Sequence, residues 1–220
     1  MTRGSQEVRV KIINRELLNM ASLVEKQIYE SMVSLKNYDV QKAEQVIKND
    51  DKVDDMQKAI EEECIKFIAT EQPLATDLRR VFTASKIVTD LERMADYAVD
   101  ICKITKRLAG NVQSFQKNSD ELWEMDKKVR AMIKSSIDSY INEDDEMAYR
   151  ICERDDEVDA LYKSLFAALI NAIKVDESLI HEGTQLLFVI KHLERIGDHV
   201  TNICEWTIFC KTGVYVDLNE

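Results

Sequence analysis

The chain has 220 residues, and its 41 acidic side chains outnumber its 30 basic ones, which gives a net charge of −11. This balance argues against a nucleic-acid-binding protein, because phosphate backbones are bound by basic surfaces. One proline and five glycines are too few to interrupt many helices, and 32% of the residues are charged. The composition therefore predicts an all-α protein.

The apolar segments and the cysteines indicate a cellular compartment. No apolar run approaches the roughly 18 residues that a transmembrane helix needs, and we recognise no secretory signal peptide. The five cysteines show no Cys-x-x-Cys spacing, which favours reduced thiols over a disulfide framework. We therefore expect a cytoplasmic protein.

Hydrophobic periodicity predicts six long helices. In chain order they span residues 7–36, 40–69, 73–108, 120–141, 144–174 and 177–210. The polar stretch 111–119 reads as a linker between the third helix and the fourth. We therefore expect two antiparallel three-helix bundles in tandem, at residues 7–110 and 120–212.

The second half of the chain repeats the first. The string D-L-E-R-M-A-D at residues 90–96 returns as H-L-E-R-I-G-D at residues 192–198, and each copy follows an acidic string, at residues 49–54 and 154–159. Corresponding positions lie 105 residues apart in the first two helices and 102 apart in the third. This consistent register indicates an internal duplication.

Each copy carries pairs of carboxylates beside a buried stripe. When successive residues are placed about 100° apart, two acidic residues of the second helix and two of the third lie at the border of an apolar arc. They are Asp50, Asp54, Glu92 and Asp96 in the first copy and Asp155, Asp159, Glu194 and Asp198 in the second. If these helices pack antiparallel, the pairs meet. The sequence therefore predicts two clusters of four carboxylates.

Such clusters suit hard cations. Carboxylate, amide and water oxygens are ligands for Mg²⁺, Mn²⁺, Ca²⁺ or Fe³⁺, whereas zinc prefers His and Cys. A simpler interpretation is that the carboxylates solvate the helix borders and pair with Arg93 and Arg195. The protein would then be a helical scaffold whose acidic faces bind basic partner surfaces without metal.

Catalytic motifs are missing from the sequence. A ferritin-like oxidase needs Glu-x-x-His on its helices, and the chain contains none. It also lacks a Gly-rich phosphate loop. We therefore expect a protein that is not an enzyme, with a metal-dependent hydrolase as a third alternative because bound metal can activate water.

The combined motifs resemble those of the PhoU family. They are the doubled Leu-Glu-Arg-x-(Ala/Gly)-Asp string, the two Asp-x-x-Val-Asp strings and the sequence Q-P-L-A-T-D-L-R at residues 72–79. The resemblance covers residues 7–212. PhoU-like proteins are six-helix tandem bundles that regulate phosphate uptake and signalling in bacteria.

The resemblance implies a ligand set and partners. Some family members bind multinuclear metal clusters on E/D-x-x-x-D motifs, with iron favoured here and manganese, magnesium, zinc or calcium as alternatives. Four further candidate ligands follow from the family pattern: Asp51, Asp100, Asp156 and Asn202. Family members are cytoplasmic and often homodimeric. They couple the ATPase subunit of a phosphate ABC transporter to a membrane sensor histidine kinase, and they repress phosphate-starvation genes without binding DNA.

Two positions depart from the repeat. Asp100 stands where the second copy has Asn202, which predicts a more anionic first site. The second copy also lacks the 72–79 string, so that Arg79 and Arg80 have no basic counterparts. If that string contacts a partner, only the first repeat does so in this way.

Overall fold

The computed structural model describes residues 3–108 and 120–218, and within these ranges the chain is all-α, as predicted. The helices are α1 (Arg3–Asn37), α2 (Val40–Asn49), α3 (Asp51–Glu71), α4 (Ala75–Leu108), α5 (Asp120–Asn142), α6 (Asp145–Val175) and α7 (Ile180–Thr212). A 3-10 turn, Glu177–Leu179, precedes α7. The predicted linker at 111–119 lies outside the described residues.

Identical caps begin the second helical segment of each repeat. The carboxylate of Asp39 accepts a hydrogen bond of 2.9 Å from the backbone N–H of Lys42, and Asp144 accepts one of 2.8 Å from Met147. The residues before these caps, Tyr38 and Glu143, adopt positive φ values of 51° and 53°. This left-handed conformation ends the preceding helix, and the aspartate then satisfies a free N–H of the next one.

The second predicted helix, 40–69, differs from the structure because it is divided at Asp50. The N–H of Asp50 bonds the carbonyl of Ile47, three residues back, and the carbonyl of Asp50 accepts from Val53, three residues ahead. These tighter bonds produce a local 3-10-like turn. The counterpart of Asp50 in the second repeat, Asp155, lies within the unbroken helix α6.

Two helix starts also lie later than predicted. Gln72 has a φ of 46°, and α4 begins at Ala75, so Pro73 precedes the helix. In the second repeat, Asp176 accepts hydrogen bonds from the N–H and hydroxyl of Ser178. The 3-10 turn follows there, and α7 begins only at Ile180.

Helices α4 and α7 pack against each other at the centre of the molecule. Helices α1 and α3 pack on α4, helices α5 and α6 pack on α7, and α1 also contacts α5. Buried side chains from both repeats form one contiguous hydrophobic cluster. The repeats therefore share a core, which fixes the relative positions of their acidic borders.

Polar contacts join the two repeats at equivalent places. The hydroxyl of Tyr38 donates to Glu182 over 3.4 Å, while Arg80 forms an ion pair of 2.5 Å with Glu143. Tyr38 corresponds to Glu143 and Arg80 to Glu182, so the same loop-to-helix contact is made twice with different chemistry. Arg79 donates to the carbonyl of Cys210 near the end of α7, over 3.4 Å. Arg79, at the end of the 72–79 string, and the following Arg80 therefore link the repeats.

Across the described ranges, none of the helices combines the length and the apolarity that crossing a membrane would require.

Candidate functional site

The first four predicted carboxylates lie together. Asp50 and Asp54, where α2 meets α3, face Glu92 and Asp96 on α4. Burial, followed by the nearby charges of Asp54 and Asp96, raises the pKa of Asp50 to about 6. Burial also raises the pKa of Glu92, with help from Asp96 and against the charge of Arg93. The surroundings of Asp50 and Glu92 therefore favour their protonated forms more than water does when no cation is present.

The second four carboxylates form an equivalent group. Asp155 and Asp159 on α6 face Glu194 and Asp198 on α7. Burial and then the charge of Asp198 raise the pKa of Asp155 to about 7, while a hydrogen bond from Thr201 opposes this shift. Burial and Glu194 raise the pKa of Asp198. Both repeats thus bring together the residues that the helical pattern indicates.

The side chains do not converge on a single point. Within residues 3–108 and 120–218, no three or more His, Cys, Asp and Glu side chains are arranged to hold one metal ion. Basic residues of the same helices pair with the clusters instead. Lys191 contacts both oxygens of Glu194 at 2.6 and 2.5 Å, and Arg93 reaches Asp96 over 3.4 Å. A bound cation would have to draw the carboxylates together.

The four further candidates lie differently. Asp51 and Asp156 are exposed, although the charge of Asp51 contributes to the raised pKa of Asp50. Asp100 forms an ion pair of 2.8 Å with Lys103. The amide of Asn202 donates to Asp90 over 3.1 Å, across the contact between α4 and α7.

Two histidines also lie in the contact between α4 and α7. His199 Nδ1 lies 2.8 Å from Oδ1 of Asp90. The ring of Tyr97 stands between His192 and His199, with centroids 5.4 and 5.8 Å away. Burial lowers the pKa of His192, and the charge of Asp100 opposes this change. These contacts join the two repeats.

Sequence reasoning missed two polar neighbours of the clusters. The amide Nε2 of Gln27, on α1, lies 3.5 Å from Oδ1 of Asp50. The hydroxyl of Thr201, on α7, donates to Oδ2 of Asp155 over 3.2 Å. Both side chains are buried. A polar residue inside the apolar stripe of a helix is the signal that could have identified them.

A glycine shapes the second cluster. A Cβ atom built on Gly197 would lie 2.6 Å from Oδ1 of Asp155, which is closer than side chains tolerate. The missing side chain lets the carboxylate approach the backbone of α7. The corresponding residue of the first repeat is Ala95, so the two acidic sites differ in shape.

The donor chemistry fits a hard cation. Carboxylate and amide oxygens suit such an ion, and the Gln27 amide lies beside the first cluster, while the Thr201 hydroxyl at the second already donates to Asp155. The Oε1 atom of Gln27 is buried and has no hydrogen-bond partner among the residues that the structure describes. Such an atom is rare in a protein interior unless water or an ion binds it.

Comparisons with known proteins give one consistent result. A family model described as the PhoU domain matches the chain twice, at residues 17–105 and 122–207. The phosphate-specific transport system accessory protein PhoU homolog of Clostridium acetobutylicum is 50% identical over 224 residues, covering the whole of both chains.

Two crystal structures resemble the fold closely. The phosphate transport system regulatory protein PhoU from Streptococcus pneumoniae superposes with a TM-score of 0.89 at 30% identity, covering 96% of this chain and 99% of that one. PhoU from Pseudomonas aeruginosa gives a TM-score of 0.89 at 31% identity, covering 94% and 99%. With its duplicated helices and full-length relatives, the chain belongs to the PhoU family.

Proposed function

We propose that the protein regulates phosphate uptake and phosphate-starvation signalling as a negative regulator. The observation that carries this proposal is its 50% identity, over the full length, to a phosphate-specific transport system accessory protein. It acts as an adaptor between the ATPase subunit of a phosphate ABC transporter and a sensor histidine kinase. Its effect on transcription is indirect, and it does not bind nucleic acid. Its role is regulatory and not enzymatic.

The adaptor carries metal ions on its two carboxylate clusters. Iron is the first candidate, and manganese, magnesium, zinc and calcium are the alternatives. The support is the crowding of four carboxylates in each repeat, which a cation would relieve. Asp50, Asp54, Glu92 and Asp96 would hold the first cluster, and Asp155, Asp159, Glu194 and Asp198 the second.

The protein works in the cytoplasm as a homodimer and reaches the membrane only through its partners. This part of the proposal rests on family resemblance. Because each partner belongs to a phosphate-responsive system, the regulatory role can be tested in the cell without knowing the binding face.

Deletion of the gene tests the regulatory role. Under phosphate sufficiency, we expect phosphate uptake and the transcripts of phosphate-starvation genes to rise in the deletion strain and to return to normal on complementation. Transcripts and uptake that stay unchanged would contradict the proposal.

A metal-independent scaffold is the second candidate. One observation favours it: the described side chains include no group of three or more potential ligands arranged around a single ion. In that case the acidic faces bind basic partner surfaces directly. The metal content of the purified protein separates the two candidates.

A further inference from the structure

One buried polar side chain touches the first acidic cluster and leaves an oxygen without a partner. Gln27 is only 2% exposed, and its Nε2 lies 3.5 Å from Oδ1 of Asp50. Its other terminal atom, Oε1, is buried and accepts no hydrogen bond within the described part of the chain. A buried acceptor in this state lowers stability, so its presence beside a cluster of anions requires an explanation.

Packing does not require a glutamine at this position. Gln27 lies in the apolar stripe of α1, close to the fully buried Val24 and Ile28. The corresponding residue of the second repeat, 105 positions later, is the fully buried Met132. Glutamine and methionine side chains both have three rotatable bonds and a similar length. The two repeats therefore fill the same space and differ in polarity.

Asp50 and Asp155 occupy corresponding positions, but their polar neighbours lie on helices that do not correspond in the two repeats. Asp155 accepts its hydrogen bond from Thr201 on α7, over 3.2 Å. The counterpart of Thr201 in the first repeat is Val99, which cannot donate. Asp50 is instead approached by Gln27 from α1. The first repeat thus combines an acidic cluster with an amide whose oxygen is unused.

We propose that Gln27 is an oxygen ligand for a cation at the first acidic cluster, adjacent to Asp50, and that the second cluster lacks an equivalent ligand. This inference rests on the proposed metal binding. It assigns Gln27 in addition to the four carboxylates and makes the two sites chemically unequal. Gln27 adds an amide oxygen to the four carboxylates of the first site, whereas the hydroxyl of Thr201 at the second site already donates to Asp155. This difference favours tighter binding of a hard cation at the first site.

The chemistry and spacing of the amide support this role. Asn and Gln carbonyl oxygens are frequent ligands of hard cations. Rotation about the last side-chain bond exchanges the amide nitrogen and oxygen, so the group that donates to Asp50 without a cation presents Oε1 when one is bound. Adjacent oxygens around an octahedral ion lie about 3.0–3.4 Å apart for metal–oxygen distances of about 2.1–2.4 Å. The 3.5 Å between Gln27 Nε2 and Asp50 Oδ1 is close to this spacing.

The test measures Mn²⁺ binding to the full chain by electron paramagnetic resonance of the free ion. The first site is isolated by Glu194→Gln with Asp198→Asn, and the second by Glu92→Gln with Asp96→Asn. We expect Gln27→Met, which copies the second repeat, to weaken Mn²⁺ binding at the isolated first site by about tenfold or more. We expect the same substitution to leave the Kd of the isolated second site unchanged.

A second variant retains the oxygen. Gln27→Glu replaces the amide with a carboxylate of the same length, and we expect Mn²⁺ binding at the first site to be retained or tightened. The melting temperature of metal-free Gln27→Met should not fall, because an unsatisfied amide is replaced by an apolar side chain of matching size. If this variant does not fold, Gln27→Asn provides the same test, since it withdraws the amide by one methylene.

The outcomes separate this inference from the proposed function. Mn²⁺ binding at the isolated first site that is equal with and without Gln27→Met would overturn the role of Gln27, while metal binding itself would stand. Equal weakening at both isolated sites would also overturn it, since the effect would then be structural. If neither the native protein nor the isolated first site binds Mn²⁺, the metal-binding proposal fails together with this inference.

Discussion

The carboxylate of Asp155 occupies the space that a side chain on residue 197 would need. A Cβ on Gly197 would stand 2.6 Å from Oδ1 of Asp155. The position is in the middle of α7, where glycine costs about 1 kcal/mol relative to alanine in helix propensity. A close approach between α6 and α7 explains why a poor helix former stands there.

Gly197→Ala should therefore displace the Asp155 carboxylate toward solvent. We expect the pKa of Asp155 to fall from about 7 toward its ordinary range, because burial is the main cause of its elevation. Nuclear magnetic resonance titration of the carboxyl carbons can measure this shift. The steric conflict should also cancel the gain in helix propensity.

The first repeat provides a control for this substitution. Ala95→Gly, at the corresponding position of α4, should simply cost about 1 kcal/mol in the free energy of unfolding. If Gly197→Ala instead stabilised the protein by the full propensity difference and left the pKa of Asp155 unchanged, the proposed contact would be wrong.

The raised pKa values predict that the metal-free protein is less stable at alkaline pH. The pKa of Asp50 is raised to about 6 and that of Asp155 to about 7, both above the ordinary value of about 4. Between about pH 4 and pH 7 the folded state therefore holds more protons than the unfolded state. The stability that these carboxyl groups contribute is fully present below their unfolded pKa and is lost as the pH rises through the folded pKa.

Asp155→Asn tests this dependence, because the amide imitates the protonated acid. In urea unfolding with a chelator present, we expect the variant to be more stable than the native protein at pH 8, with the difference shrinking toward pH 5. Asp156→Asn, at a neighbouring exposed residue, is the matched control and should show no such trend. A difference that grows on acidification would have the wrong sign for a buried carboxyl group with a raised pKa.

The metal-binding proposal predicts stoichiometric metal in the native protein. Elemental analysis of carefully purified protein should detect it, and Glu92→Ala and Glu194→Ala should each remove the share bound by one cluster. Glu146→Ala is a suitable control because Glu146 is highly exposed and pairs only loosely with Arg150, at 3.9 Å. Native protein that contains no stoichiometric metal, with variants that do not differ from it, would favour the metal-independent scaffold.

Helical periodicity was enough to predict the eight cluster carboxylates but not their polar neighbours. The four-residue spacing of Glu92 and Asp96 places both on one face of α4, and the repeat indicates the corresponding face of α7. Gln27 on α1 approaches Asp50, and Thr201 on α7 approaches Asp155. A polar residue in an apolar stripe can be noticed in the sequence, but periodicity within one helix does not identify its partner on another. The structure therefore reveals that Asp50 and Asp155 have different polar partners.

Contacts between the repeats also lie beyond what the family pattern predicts. Asn202 was a candidate ligand, yet it donates to Asp90 across the contact between α4 and α7. That contact belongs to the core shared by the repeats, which a prediction of two tandem bundles does not describe. The division of the second helix at Asp50 also depends on hydrogen bonds to residues three positions away. No proline or glycine near Asp50 in the sequence indicates this division.

The ion pair between Arg80 and Glu143 should couple the two repeats energetically. It spans 2.5 Å, and Arg80 also contacts Asp77 at 3.2 Å on its own helix. Both partners are partly exposed, so we expect a coupling energy of about 0.5–1 kcal/mol in a double-mutant cycle of Arg80→Ala and Glu143→Ala. Urea unfolding of the native, single and double variants measures it.

The matched control is the pair of Arg150 and Glu146, which lies within one helix and is more exposed than the pair between the repeats. Its coupling energy should be close to zero. If the two cycles gave the same value, the contact of Arg80 with Glu143 would contribute no more than an ordinary surface pair. Arg80, next to the 72–79 string, would then be available for a partner, as the sequence suggests. A larger coupling energy for the pair between the repeats would instead indicate that Arg80 serves to join the two halves of the fold.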